Sequence, residues 1–185
     1  MIRLSILIPT IKRDEIFYHQ LLKKLYAQTF GLGTVDVLTE SSEKDSIGTK
    51  RNKLLERATG GHLCFIDADD DISDDYIKLL LEGIDKGVDC CSLMGMYSVD
   101  GVNDGLFEHS IKYDKWVTVG DAAIKYLRYP NHLNCIKSSI AKQFKFPEIN
   151  HGEDENWSTQ IHKSGLIKTE HYIPEVIYYY KKVTR

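Results

Sequence analysis

The stretch His62-Leu63-Cys64-Phe65-Ile66 runs directly into Asp67-Ala68-Asp69-Asp70-Asp71. The first five residues are mostly apolar, which predicts a buried central strand of a sheet. Carboxylates crowded at the end of such a strand repel one another and lose hydration, so a positive charge is expected among them. A hard divalent cation such as Mg²⁺ or Mn²⁺ meets this need because it takes oxygen ligands. Strand ends of open α/β sheets are also common ligand sites.

The segments around this strand alternate short apolar runs with amphipathic stretches, as in βα units built around a parallel sheet. Glycines follow the predicted helices, and Thr49 is the expected N-cap of the second helix. The pattern therefore predicts an α/β fold with a mainly parallel central sheet. Its predicted elements are strands at residues 3–9, 35–39, 62–66 and 88–96, with helices at residues 14–28, from Thr49 onward and after Ser73.

The second half of the chain, from about Tyr97, has a less regular pattern, with turn signals at residues 100–105. No internal repeat or linker interrupts it, so residues 1–185 are expected to form one domain. The predicted elements here are strands at residues 116–119 and 132–137, helices at residues 121–127 and 153–163, and a β-rich tail at residues 172–181.

The overall composition excludes some classes of partner. The 185 residues carry a net charge of −3, so no basic excess points to nucleic acid. No run approaches the roughly 18 apolar residues that span a bilayer, so an integral membrane segment is not expected. The apolar start is too short for a secretory signal, so a cytoplasmic location is expected. The four cysteines form no CxxC pair and are expected to be reduced and mostly buried.

Three other interpretations of the acidic loop remain open. A calcium loop of the EF-hand type requires Gly at its sixth and Glu at its twelfth position, where this chain has Ile72 and Lys78. Phosphatases of the haloacid dehalogenase type carry an Asp-x-Asp motif after their first strand, whereas here the motif follows the third. A solvated acidic turn with a helix cap explains Asp74 and Asp75 well, but it explains Asp67 and Asp69 poorly.

Taken together and in order, the motifs resemble those of the family-2 glycosyltransferases with the GT-A fold, and the resemblance covers most of the chain. The similar segments are Leu4-Ser5-Ile6-Leu7-Ile8-Pro9-Thr10, Gly48-Thr49-Lys50-Arg51-Asn52-Lys53-Leu54-Leu55, Phe65-Ile66-Asp67-Ala68-Asp69-Asp70, Gly152-Glu153-Asp154-Glu155-Asn156-Trp157 and Tyr178-Tyr179-Tyr180-Lys181. The resemblance implies a Rossmann-like three-layer sandwich, with a nucleotide-sugar-binding half at residues 1–96 and an acceptor-side half at residues 97–185.

The resemblance also implies a reaction. A sugar would move from a nucleoside-diphosphate sugar, in the first place a UDP-sugar, to an acceptor with a free hydroxyl, with inversion at the anomeric carbon and with Mn²⁺ or Mg²⁺ as cofactor. It implies Asp154 as the catalytic base with Glu153 beside it, and Asp69 and Asp70 as metal ligands. The donor-binding candidates are Thr10, Glu40, Arg51, Asn52, Asp67 and Asp69. Glu40 stands where many members carry an aspartate for the nucleobase.

Two alternatives to this reaction stay open. The first is a catalytically idle nucleotide- or sugar-binding module of the same fold. The second is a sugar-phosphate nucleotidyltransferase, which usually has a glycine-rich basic loop after the first strand, where Pro9-Thr10-Ile11-Lys12-Arg13 has no glycine. For the transferase, a peripheral association with a membrane through the acceptor is a further expectation.

Overall fold

The chain folds into a mixed β-sheet with helices on both faces, in a computed structural model that describes residues 1–120 and 122–182. The strands are β1 Leu4–Pro9, β2 Val35–Glu40, β3 His62–Phe65, β4 Asp71–Ile72, β5 Cys90–Val99, β6 Val102–His109, β7 Val117–Thr118, β8 Ile124–Arg128, β9 Cys135–Lys137 and β10 Glu170–Lys182. The helices are α1 Glu15–Thr29, α2 Ile47–Arg57, α3 Tyr76–Asp85, α4 Ser138–Ala141 and α5 Glu153–Ser164, with a 3₁₀ turn at Lys12–Asp14 before α1.

The sheet order is β2-β1-β3-β9-β5-β6-β8-β7, and β10 pairs with β5 and β4. The strands β2, β1 and β3 are parallel, as predicted for the first half. Short β9 then runs antiparallel to both β3 and β5, while β10 runs parallel to β5. The carboxyl end of β3 therefore lies beside segments from the second half of the chain, so the acidic loop and the region of Asp154 can meet.

Two apolar clusters cover the two faces of the sheet. On one face, α1 and α3 pack through Leu21, Leu25 and Leu80. On the other face, α2, α4 and α5 pack around Phe65 and Trp157. Every residue of β1 is buried, which explains why its sequence is almost continuously apolar. The four cysteines are free and buried, as expected.

Two local predictions were wrong. Helix α2 begins at Ile47, because Ser46 is its N-cap and accepts a hydrogen bond from the backbone N–H of Thr49 at 3.1 Å. The predicted helix at residues 121–127 is replaced by β8, which pairs with β6 and β7; Asp121 itself lies outside the described residues. Pairing with neighbouring strands outweighs the weak local preference for a helix in this segment.

Gly48 allows a close approach that positions the loop before α5. A Cβ at this position would lie 1.8 Å from the carbonyl oxygen of Pro147. The backbone N–H of Gly48 also donates to Ile149 at 3.1 Å. The start of α2 and the segment leading to α5 are thus in direct backbone contact.

None of the helices within residues 1–120 and 122–182 combines the length and the apolar character needed to cross a membrane.

Candidate active site

Arg51 is a buried cation that joins the acidic loop to helix α5. Its Nη2 donates to Oδ1 of Asp67 at 2.7 Å, and its Nε donates to Oε1 of Glu153 at 3.2 Å. Its guanidinium carbon lies 5.2 Å from the ring centre of Phe65 and 5.7 Å from that of Phe146. Although burial opposes its charge, the carboxylates of Asp67 and Glu153 raise the pKa of Arg51. Arg51 is therefore part of a buried ion-pair network, and its expected contact with the donor stays a prediction.

His132 lies between two carboxylates and is buried. Its Nε2 is 3.4 Å from Oδ2 of Asp67, and its Nδ1 is 3.5 Å from Oδ2 of Asp154. The second distance is too long for a well-formed hydrogen bond, so Nδ1 has no hydrogen-bond partner in the part of the chain that the structure describes. The ring therefore couples the acidic loop to Asp154 mainly by electrostatics and packing.

Asp154 and Glu153 occupy the first turn of α5 but face different surroundings. Successive helical positions are about 100° apart, so the two side chains diverge. The side chain of Glu153 is 6% exposed and faces Arg51, whereas that of Asp154 is 32% exposed and lines a cavity of about 260 Å³. Glu153 therefore holds Arg51, and its expected role beside the catalytic base stays a prediction. The other residues lining the cavity are Tyr97, Phe107, His109, Trp116, Tyr126, Arg128, Asn131, His132, Leu133 and Tyr180.

Asp70 is a buried structural carboxylate. Its Oδ2 accepts a hydrogen bond from the hydroxyl of Tyr178 at 2.7 Å, and its Oδ1 accepts one from the backbone N–H of Lys181 at 2.8 Å. Burial, followed by the negative charge of Asp67, raises the pKa of Asp70 well above its usual range. Both oxygens accept hydrogen bonds within the protein, and Asp70 ties the acidic loop to β10. Its role as a metal ligand stays a prediction.

Asp71 is also engaged within the protein. Its Oδ1 accepts from Nζ of Lys24 and its Oδ2 from Nζ of Lys181, both at 3.1 Å. Burial alone would raise the pKa of Asp71, but hydrogen bonds from the backbone of Ile72 and from the two lysines lower it.

Asp69 differs from Asp67, Asp70 and Asp71 in its lack of partners. Apart from its own backbone N–H, no described group comes within hydrogen-bonding distance of its carboxylate. Burial raises the pKa of Asp69, and the negative charges of Asp67 and Asp14 raise it further. A carboxylate in this state gains from a nearby cation.

The described residues fit a cation that is shared with a phosphorylated ligand. Among them, no three His, Cys, Asp or Glu side chains converge on a position that could hold a metal ion. Within the acidic loop, the carboxylate of Asp69 is the one with no described side chain as a partner. A Mg²⁺ or Mn²⁺ ion that keeps several coordination positions for phosphate oxygens and water requires no more than this from the protein.

The donor-binding candidates fall into two groups. Thr10 lines a second cavity of about 400 Å³, together with Ile11, Lys12, Glu15, Tyr18, His19, Ser41 and Glu43. Asp67 keeps 24% of its side chain exposed. The donor-binding roles of Thr10, Asp67 and Asp69 stay predictions.

Glu40 and Asn52 both make hydrogen bonds within the protein, and their donor-binding roles stay predictions. The carboxylate of Glu40 accepts hydrogen bonds from the backbone of Ser42 at 3.3 Å and from Arg57 at 3.2 Å, and Glu40 is not among the residues that line the cavity at Thr10. The amide of Asn52 makes two hydrogen bonds, both of 2.9 Å, with the backbone of Phe146. Asn52 is therefore a structural clamp between α2 and the segment before α5.

Sequence reasoning missed several residues of the cavity beside Asp154, above all His132, Trp116 and Arg128. The available signal for His132 was a polar residue at the beginning of a predicted apolar strand. Trp116 and Arg128 lie in the irregular second half, where the pattern predicted a helix next to Arg128. Their proximity to Asp154 depends on strand pairing that no local pattern encodes.

Comparisons with known proteins agree with this architecture. A family model described as Glycosyl transferase family 2 matches residues 20–149. The fold resembles a crystal structure of S. aureus TarS with a TM-score of 0.68 and 18% identity, covering 97% of this chain and 37% of that chain. It also resembles S. aureus TarS 1-349 in complex with UDP-GlcNAc, with a TM-score of 0.70 and 18% identity, covering 98% of this chain and 59% of that one.

A third similar structure, S. aureus TarS 1-349 in complex with UDP, has a TM-score of 0.68 and 16% identity and covers 97% of this chain and 60% of that chain. This chain therefore spans only part of the length of these TarS chains. No curated protein sequence matches it. At such identities the likeness shows the fold, and the expected α/β sandwich of the GT-A type is confirmed. Because the family model covers more than half of its length, the chain belongs to glycosyl transferase family 2.

Proposed function

We propose that the protein transfers a sugar from a nucleoside-diphosphate sugar to an acceptor hydroxyl, with inversion at the anomeric carbon. The observation that carries this proposal is the position of Asp154, whose partly exposed carboxylate lines a cavity and is linked through His132 to the acidic loop. A UDP-sugar is the proposed donor, because TarS structures of the same fold were solved with UDP and UDP-GlcNAc.

In this proposal Asp154 acts as the general base. Its carboxylate accepts the proton of the acceptor hydroxyl while the acceptor oxygen forms a bond to the anomeric carbon. The bond between that carbon and the diphosphate oxygen breaks on the opposite face, and its electron pair leaves with the nucleoside diphosphate. His132, buried between Asp67 and Asp154, holds the base in place. One displacement of this kind inverts the anomeric centre.

Asp69 is the residue that we propose to hold Mn²⁺ or Mg²⁺ together with the diphosphate. When bound, the ion supplies positive charge that offsets the charge developing on the leaving group. The protein's own contribution is to present one carboxylate with a raised pKa and no other partner among the described residues. Arg51 pairs with the neighbouring Asp67, whereas the carboxylate of Asp69 makes no hydrogen bond or ion pair with a described side chain.

We further propose one domain with divided tasks: residues 1–96 bind the nucleotide, and residues 97–185 form the acceptor side and carry the base. The cavity at Thr10 is built from residues of the first part. Every described residue that lines the cavity at Asp154 belongs to the second part, from Tyr97 onward.

The test is release of UDP from UDP-glucose, UDP-galactose and UDP-N-acetylglucosamine in the presence of Mn²⁺, with a mixture of simple saccharides as acceptors. We expect Asp154→Asn to lower the turnover roughly 10²- to 10⁴-fold, the usual contribution of a positioned base. The matched control is Glu155→Gln, because Glu155 is exposed on the same helical turn and does not line the cavity. Equal turnover in the Asp154→Asn variant and the control would show that Asp154 is not the base.

The second candidate is a catalytically idle binding module. The hydrogen bonds from Arg57 and Ser42 to Glu40 favour it, because they occupy the side chain at a position where many family members contact the nucleobase. This candidate predicts binding of UDP without release of UDP from any sugar donor. Isothermal titration with UDP and Mn²⁺, performed alongside the turnover assay, distinguishes the two.

A further inference from the structure

The cavity beside Asp154 has the composition of a saccharide site. Four aromatic residues with partly exposed side chains line it, namely Tyr97, Trp116, Tyr126 and Tyr180. The rings of Tyr97 and Tyr126 are 5.2 Å apart between centres, and those of Tyr97 and Tyr180 are 5.3 Å apart. Apolar aromatic walls with a few polar groups are typical of cavities that bind small molecules. The C–H faces of a sugar ring suit such walls.

Arg128 is a half-buried cation in the wall of this cavity. Its guanidinium carbon lies 4.2 Å from the ring centre of Trp116. Within residues 1–120 and 122–182, no carboxylate oxygen lies within salt-bridge distance of it. Lys125 on the same strand, in contrast, pairs with Asp104 at 2.9 Å. Burial lowers the pKa of Arg128, and Asp154 and Glu155 oppose this change from a longer distance.

Among the described residues that line the cavity, Arg128 is the only arginine or lysine. His109 adds no charge at neutral pH, because burial lowers its pKa to about 3. The amide nitrogen of Asn134 donates to the carbonyl of Cys91, so its Oδ1 atom faces Nδ1 of His109 as an acceptor at 3.0 Å. His109 is therefore a neutral ring that carries its proton on Nδ1. A partly desolvated guanidinium with no ion-pair partner among the described residues is costly, and an oxyanion from a ligand would offset that cost.

We propose that this cavity binds an acceptor saccharide that carries an anionic group, either a carboxylate or a phosphate ester. The anion pairs with the guanidinium of Arg128, and the sugar ring packs on the aromatic residues. A hydroxyl of the same sugar then lies towards Asp154, which lines the same cavity. This inference rests on the proposed function, since it names the class of acceptor for that site.

Tryptophan fluorescence provides a direct test that needs no turnover. The chain has two tryptophans, and Trp157 is fully buried, so Trp116 reports on the cavity. Because Arg128 lies over Trp116, an anion that binds Arg128 changes the surroundings of that ring. The probes are methyl β-D-glucuronide, glucose 6-phosphate and the neutral methyl β-D-glucoside, titrated at constant ionic strength.

We expect at least one anionic probe to bind roughly tenfold or more tightly than the neutral glucoside, as charge-assisted hydrogen bonds allow. The two anionic probes distinguish a carboxylate from a phosphate. Arg128→Gln should abolish the preference and Arg128→Lys should retain part of it. The matched control is Lys125→Gln, on the same strand but outside the cavity wall, which should keep the preference. Thermal unfolding of each variant verifies its fold.

Equal binding of charged and neutral probes, or an unchanged preference in Arg128→Gln, would overturn the proposal. A further titration uses UDP and Mn²⁺ as the ligand. If Arg128→Gln weakens UDP binding as much as it weakens binding of the anionic sugar, Arg128 belongs to the donor diphosphate and the proposal is wrong. Absence of UDP release from every donor would defeat the proposed function alone, because the saccharide titrations do not depend on it.

Discussion

At the scale of single residues, the side chains that organise the site are Arg51 and His132, and neither contacts solvent freely. Each holds two acidic partners that are distant in sequence: Arg51 holds Asp67 and Glu153, and His132 lies between Asp67 and Asp154. The free carboxylate of Asp69 and the partly exposed carboxylate of Asp154 depend on this arrangement. Both are available for chemistry because their neighbours are neutralised by other groups.

The buried network predicts that Arg51→Met is strongly destabilising. Removing the cation leaves two buried carboxylates unpaired, and breaking such a network costs about 3–5 kcal/mol in the free energy of unfolding. Urea unfolding measures this loss. The control is Arg57→Met in the same helix, whose side chain is 48% exposed where it pairs with Glu40, and for which about 1 kcal/mol or less is expected. Similar losses in the two variants would show that the network contributes no more than a surface pair.

At the scale of elements, Asp89 connects the beginning of β5 to β9 and to the segment before β10. Its Oδ1 accepts from Lys137 at 2.9 Å, and its Oδ2 accepts from the backbones of Lys168 and Thr169 at 3.0 and 3.1 Å. Burial alone would raise the pKa of Asp89, but these hydrogen bonds outweigh it and lower the pKa to about 2. The three strands are thus joined by one ionised side chain.

This depressed pKa gives a pH dependence of known sign. The folded state holds the ionised form of Asp89, so its stabilisation is present above the ordinary value of 3.8 and is lost as the pH falls towards 2. We expect Asp89→Asn to cost about 2 kcal/mol near neutral pH and to differ little from the unsubstituted protein at about pH 2. Chemical unfolding across this range measures the difference. The exposed Asp114→Asn is the control, and a difference that stayed constant with pH would contradict the argument.

At the scale of the whole molecule, separate cavities lie at Thr10, at Asp154 and at Asp69 of the acidic loop. The cavity at Thr10 follows β1 and β2, and the cavity at Asp154 lies against β5, β6, β8 and the start of α5. A ligand that spans the loop would therefore stabilise both parts of the sheet together. Such a ligand raises the apparent stability by mass action.

The expected thermal shift depends on both nucleotide and metal. UDP with Mn²⁺ at about a hundred times its dissociation constant should raise the melting temperature by roughly 5–10 °C, and chelation of the metal should remove most of the rise. The Asp69→Asn variant should lose the metal-dependent part of the rise in melting temperature. The side chain of Asp74 is 93% exposed, so the Asp74→Asn variant should keep the metal-dependent rise in melting temperature. If UDP raised the melting temperature equally with and without a chelator, the metal would have no part in the proposed function.

The sequence by itself determined the parallel β2-β1-β3 core, the helices on both faces and the family, because these depend on apolar periodicity and on the order of motifs along the chain. It also placed Asp69 and Asp154 among the candidates. A local pattern cannot tell a free polar group from an engaged one, and it therefore could not show that Asp70, Glu40, Arg51, Asn52 and Glu153 make contacts within the protein.

Only the tertiary structure decided which acidic groups remain available, where His132 lies, and that a strand replaces the expected helix before Arg128. The contacts responsible join residues far apart in sequence: 65 positions separate Asp67 from His132, and 102 separate Arg51 from Glu153. Hydrogen bonds and ion pairs of this kind form once the sheet has assembled, since burial at that point requires each charge to find a partner.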